Sequence, residues 1–176
     1  MATSEPAAAE LSALVGRWAL DPERTTIEFH TKAMWVFPAK GTAKALEGGG
    51  NVEADGSFSG TLAVDAASIN TKNKKRDEHL RTADFFEVQK YPAIIYTAKG
   101  GRLLPSGQVE VDGDLTVHGQ TRPLPLVAEV DVDGDSATVS TQVDIDRANW
   151  GLTLTPYGAG LKNRVIVRAY FHKVDH

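Results

Sequence analysis

The run Arg76-Asp77-Glu78-His79-Leu80, followed closely by Asp84-Phe85-Phe86, gathers more reactive groups than any other stretch of this 176-residue chain. Histidine titrates near neutrality, and an adjacent carboxylate can orient it as a general base. His79 with Asp77 or Asp84 could on that basis serve a small hydrolase or isomerase. The same residues also read as an arginine–aspartate pair satisfying the polar groups of a loop. The composition disfavours a metal site: His30, His79, His118, His172 and His176 are scattered along the chain, and cysteine is absent. His118 precedes Gly119 and reads as turn chemistry.

Other motifs fail on position. Asp131-Val132-Asp133-Gly134-Asp135 hints at a calcium loop, but glycine falls at the fourth place and Gln142 stands where the closing glutamate belongs. Gly56-Ser57-Phe58-Ser59-Gly60 puts phenylalanine where a nucleophile elbow needs serine. The chain has no phosphate-binding P-loop and no dinucleotide fingerprint. Large apolar side chains make a better case. Phe29, Met34, Trp35 and Phe37 near one end, and Trp150, Leu152 and Tyr157 near the other, could line an apolar ligand site. Leu80, Phe85 and Phe86 could close it, with Arg76 and His79 at a charged rim. Burial of such side chains stabilises a core by about 1.5–3 kcal/mol with or without a ligand, so a filled core reads equally well.

The elements that must carry these residues are mostly strands. Thr25, Ile27 and Phe29 alternate with polar residues, as do Leu124 to Val132 and Val139 to Ile145, with Asp133-Gly134 as a hairpin signal between the last two runs. Val109 to Val117 and Val165 to Phe171 supply further strands, and Pro92 directs a new one over Ala93–Ala98. Gly48-Gly49-Gly50-Asn51 and Asp55-Gly56 read as turns, and Gly60 as a bulge. One helix is expected over 77–86. The cations Lys74, Lys75 and Arg76 would crowd an earlier N-terminus, and Asp77 could cap it. The fold class is all-β: a single antiparallel barrel of about eight strands with room for one ligand, its short helix at a barrel mouth. Residues 1–15 are expected to form a flexible or short helical leader and 16–176 the single domain.

Length and charge agree with this reading. A chain of 176 residues can bury one core without staples. Nineteen basic against twenty-three acidic residues give a net charge of −4, which argues against a nucleic-acid binder. No apolar run approaches the roughly 20 residues of a membrane span. The leading residues lack a basic n-region and an h-region, so the expected location is cytoplasmic, or secreted or periplasmic if the chain is a processed form.

Trp18-Ala19-Leu20-Asp21-Pro22, Ser68-Ile69-Asn70-Thr71, Arg76-Asp77-Glu78-His79-Leu80 with Asp84-Phe85-Phe86 and Tyr91-Pro92, Gly113 to Gly119, and Arg147-Ala148-Asn149-Trp150-Gly151 together resemble the YceI-like family over nearly all of residues 17–174. Two positions depart from its pattern: Asn70, where aspartate is common, and the bulky Met34-Trp35-Val36-Phe37. The resemblance implies a lipocalin-like barrel around an apolar tunnel. It further implies non-enzymatic binding, transport or storage of a polyisoprenoid, isoprenoid quinone or fatty-acyl lipid, and a homodimer that no sequence feature demands. No cofactor is expected beyond that ligand. A catalyst built on His79, or a structural or stress-related module whose barrel is filled by its own side chains, are the alternatives.

Overall fold

A computed structural model describes residues 12–33, 38–83, 85–152 and 159–174. Its strands are β1 (Gly16–Leu20), β2 (Thr26–Ala33), β3 (Pro38–Val52), β4 (Phe58–Asn70), β5 (Ala93–Leu103), β6 (Gln108–Val117), β7 (Gln120–Pro123), β8 (Leu126–Asp133), β9 (Ser136–Asp146) and β10 (Ala159–Val174). Helix α1 (Lys74–Leu80) follows β4, and a 3-10 turn (Arg147–Trp150) follows β9. All ladders are antiparallel.

The strands close into a ring in the order β10–β2–β3–β4–β5–β6–β8–β9 and back to β10. The two short strands share places in it. β1 lies end to end with β2 between β3 and β10, pairing Gly16–Ala19 with residues 49–52 and Arg17–Leu20 with residues 171–174. β7 and β8 likewise pair with successive halves of β6. Closure removes the open edges that a sheet of this size would otherwise present.

Alternation decides which side chains point inward. Val139, Thr141, Val143 and Ile145 of β9 face the interior, as do Val165, Val167, Ala169 and Phe171 of β10. On β4 the inward set changes parity, from Leu62 and Val64 to Ile69, because the β3–β4 ladder slips between Thr42 and Lys44 and leaves an odd number of extra residues on β4. One extra residue on a strand flips every side chain beyond it. The core is two clusters, one around Leu20, Ile27 and Ile69 and one around Leu115, Trp150 and Leu152, with Phe86 and Ile94 packed against both.

Three local expectations are corrected. The Gly48-Gly49-Gly50-Asn51 run is not a turn; β3 continues through it to Val52. Glycine is required there because β1 crosses so closely that a Cβ on Gly49 would sit 2.7 Å from the Trp18 carbonyl oxygen. Gly60 is not a bulge either: it pairs in register with Gly50, and its bare Cα lets the two strands meet. The helix spans Lys74–Leu80, not 77–86. Asn73 caps it, its side-chain oxygen accepting from the Arg76 backbone N–H at 3.0 Å, while Asp77 is buried and committed elsewhere. That cap offsets the cost of Lys74 and Lys75, which stay exposed. Asp133-Gly134, by contrast, is the expected tight hairpin, with Asp133 paired to Ser136.

Candidate functional site

The interior of the ring is a cavity of about 530 Å³ whose wall is almost entirely carbon. Its lining extends along β4 from Phe58 to Ile69 and along β9 from Ala137 to Ile145. At about 3.3 Å per residue on tilted strands, that is a length on the order of 20–30 Å. Strands β5, β6 and β8 contribute Ile94, Ala98, Val109, Val111, Leu126 and Val130.

Polar groups enter the wall at few places. One is built on the β4–α1 junction. Asn70 Oδ1 accepts from Lys72 N at 2.9 Å, and Lys72 takes a left-handed conformation (φ 61°) that turns the chain into the helix. Asp77 then points back at the strand end: its Oδ1 accepts from Thr71 N at 2.9 Å and from Thr71 Oγ1 at 2.5 Å. Thr71 Oγ1 in turn accepts from Arg76 Nε at 2.9 Å, and the Thr71 carbonyl accepts from Arg76 Nη2 at 3.0 Å. Thr71, Arg76 and His79 all line the cavity.

Phe85 lies beside these groups, only 3% exposed. The His79 ring meets its edge at 5.1 Å between centroids, near perpendicular, and the Arg147 guanidinium sits 5.8 Å from its centroid. Arg147 also donates to the Leu152 carbonyl at 2.6 Å, which ties the 3-10 turn to the chain beyond it. Burial lowers the Arg147 pKa from its ordinary value, partly offset by the neighbouring Asp146 carboxylate. Trp150 closes this end of the second core cluster, its Nε1 donating to the Leu115 carbonyl at 2.8 Å. Tyr96, elsewhere on the wall, donates to the Leu124 carbonyl at 2.8 Å. Burial, with Asp112 and Asp114 nearby, pushes its pKa up to about 12.

Phe29, Arg76, His79, Leu80, Phe85, Phe86, Trp150 and Leu152 all come together on the cavity wall. Met34, Trp35, Phe37, Tyr157 and Asp84 lie outside the described residues. The expected His79–Asp77 dyad does not form, because the Asp77 carboxylate accepts from Thr71 N and Thr71 Oγ1 instead. His118 sits in a turn as expected (φ 53°), and its Nε2 lies 3.3 Å from Glu87 Oε1. Sequence reasoning missed Arg147, Thr71 and the aliphatic wall of β6, β8 and β9 as site residues. The wall was recoverable from the alternation alone; the two polar groups were not, since their direction depends on a turn and a strand end.

A closed antiparallel ring around an apolar cavity, with a short helix beside it, defines a lipocalin-like barrel. The chain belongs to the YceI-like domain family, whose model matches residues 18–172. Among curated relatives, a UPF0312 protein of Vibrio cholerae is 41% identical over 66 residues, 38% of this chain and 35% of that protein. Protein YceI of Escherichia coli O157:H7 is 34% identical over 74 residues, 42% of this chain and 38% of that one. The matched stretch thus spans little more than a third of each relative. The fold is shared with BcnA of Burkholderia cenocepacia (TM-score 0.75, 17% identity, covering 86% of this chain and 98% of that one). It is also shared with a polyisoprenoid binding domain from Saccharophagus degradans implicated in plant cell wall breakdown (TM-score 0.73, 18% identity, 89% and 98%).

Proposed function

We propose that this protein holds one long-chain amphiphile, an isoprenoid or another lipid, with its chain in the barrel, and that it acts by binding and release without chemistry. The observation that carries the reading is the cavity itself: long, enclosed by a complete ring of strands, and lined by carbon from nearly every element. Desolvation of an inserted chain would drive binding at about 0.8 kcal/mol per buried methylene. The polyisoprenoid binding attributed to the structurally similar domain supports the isoprenoid class. The engagement of Asp77 with Thr71 takes one of the two carboxylates considered for a His79-based catalyst away from that histidine.

The test is extraction of the purified, denatured protein into organic solvent with mass spectrometry of the extract, followed by reloading of the stripped protein with an isoprenoid quinone. A stoichiometric chain in the extract, or uptake of the quinone, is the expected result. A clean extract together with no uptake would sink the proposal.

A further inference from the structure

The charge on the cavity wall is one-sided. In a protein with more acidic than basic residues, the wall carries the guanidinium groups of Arg76 and Arg147, with the His79 ring beside them, and, among the described residues, no aspartate or glutamate. The three are gathered, not dispersed: His79 and Arg147 both pack on Phe85, and Arg76 stands one helical turn before His79. Of the described acids at this end, Asp77 is turned onto Thr71 and Asp146 stands beside Arg147, which leaves Arg76 as the cation to consider.

Arg76 is also held in a defined pose. Thr71 takes its Nε and Nη2, and Thr71 is itself fixed by the buried carboxylate of Asp77. That relay uses one edge of the guanidinium. Nη1 makes no hydrogen bond or ion pair with a described residue. A planar guanidinium anchored on one side and offering N–H groups on another suits an anionic oxygen pair, and a charge-assisted hydrogen bond beside low-dielectric walls is stronger than a neutral one. A neutral quinone or alcohol head would offer the open edge of Arg76 no charge-assisted bond.

We infer that the barrel's ligand is an anionic amphiphile, its carboxylate or phosphate head held by Arg76, with Thr71 and Asp77 as positioning residues and its chain running away along the cavity. This rests on the carrier reading above and narrows its ligand class. The experiment compares farnesoic acid, farnesyl phosphate and farnesol, equal in chain, by equilibrium dialysis against the intact protein and its Arg76→Gln and Thr71→Val variants. Both anions, or one of them, should bind roughly tenfold or more tighter than the alcohol; if only one does, it identifies the head group. In Arg76→Gln that advantage should vanish while farnesol binds as before, which also shows the variant is folded. Thr71→Val, which keeps the charge and loosens its tether, should fall between. Farnesol binding as tightly as both anions, or an advantage unchanged in Arg76→Gln, overturns the inference and leaves the carrier reading standing. Failure of all three to bind overturns both.

Discussion

Tyr96 ties a proton to the fold. Its hydroxyl donates to the Leu124 carbonyl, and its ring lies across Gly113, whose missing side chain makes the room. Because the folded-state pKa is raised to about 12 from 10, the native state keeps this proton where the unfolded chain loses it. The stabilisation is therefore complete below pH ~10 and is lost as pH rises from there through about 12. For a half-buried group, solvent screening reduces it to about 1–2 kcal/mol. Urea melts between pH 9 and 12 should show this alkaline loss, and Tyr96→Phe should flatten it; an identical slope in the variant would remove Tyr96 as its source. A similar single bond holds Trp150, buried with its Nε1 on the Leu115 carbonyl. Trp150→Phe should cost about 1–3 kcal/mol, counting the unpaired carbonyl and lost ring area, and denaturant midpoints at unchanged slope would measure it. Residues of this kind were only half legible beforehand. An aromatic pair such as Phe85-Phe86 announces burial by composition alone, whereas Thr71 and Arg147 acquire their roles from where a strand stops and a turn begins.

At the level of elements, α1 shows why a sequence rule for charges lost to a sequence rule for caps. Cations at a helix N-terminus are unfavourable by about 0.3–1 kcal/mol each, and that argues for a start after Arg76. Asn73 satisfies an otherwise orphaned backbone N–H, and Asp77 gains two bonds from Thr71 that it would forfeit as a cap. Asn73→Ala should cost about 1 kcal/mol, whereas Asp77→Ala, which strands a buried N–H and hydroxyl, should cost more. Chemical denaturation of both variants checks the order; equal costs would mean that the Asp77–Thr71 pair adds nothing beyond ordinary capping. The glycine run of β3 tells the same story for strands. Gly48 to Gly50 look like a turn only while β1 is unknown; once β1 lies against them, their bareness is what close approach demands. Gly49→Ala would press a methyl onto the Trp18 carbonyl and should destabilise by about 1–3 kcal/mol.

For the whole molecule, alternation along β6, β8, β9 and β10 was enough to read an antiparallel barrel, because period-two patterning names the inward face without knowledge of partners. Ring closure was not readable that way. It depends on β1 and β2 sharing one place and β7 and β8 another, so that ten strands close as eight. Nor could periodicity separate an empty interior from a packed one, since the same aliphatic residues serve either. The two differ in how they respond to added volume. Ala98 is only half-buried, and its side chain borders the cavity. In a packed core Ala98→Phe would force neighbours off their rotamers and cost about 1–3 kcal/mol or more. Facing open space, the ring buries apolar area without displacing anything, so the ligand-free variant should be as stable as the parent or slightly more so. The same ring would occupy the ligand's path. A bound chain at a hundredfold excess over its Kd should stabilise the parent by about 2.7 kcal/mol, and most of that gain should disappear in the variant. Thermal melts of both proteins with and without farnesoic acid decide the matter: a strongly destabilised Ala98→Phe would indicate a filled barrel, and a stable variant that still gains fully from ligand would place the chain elsewhere than this cavity.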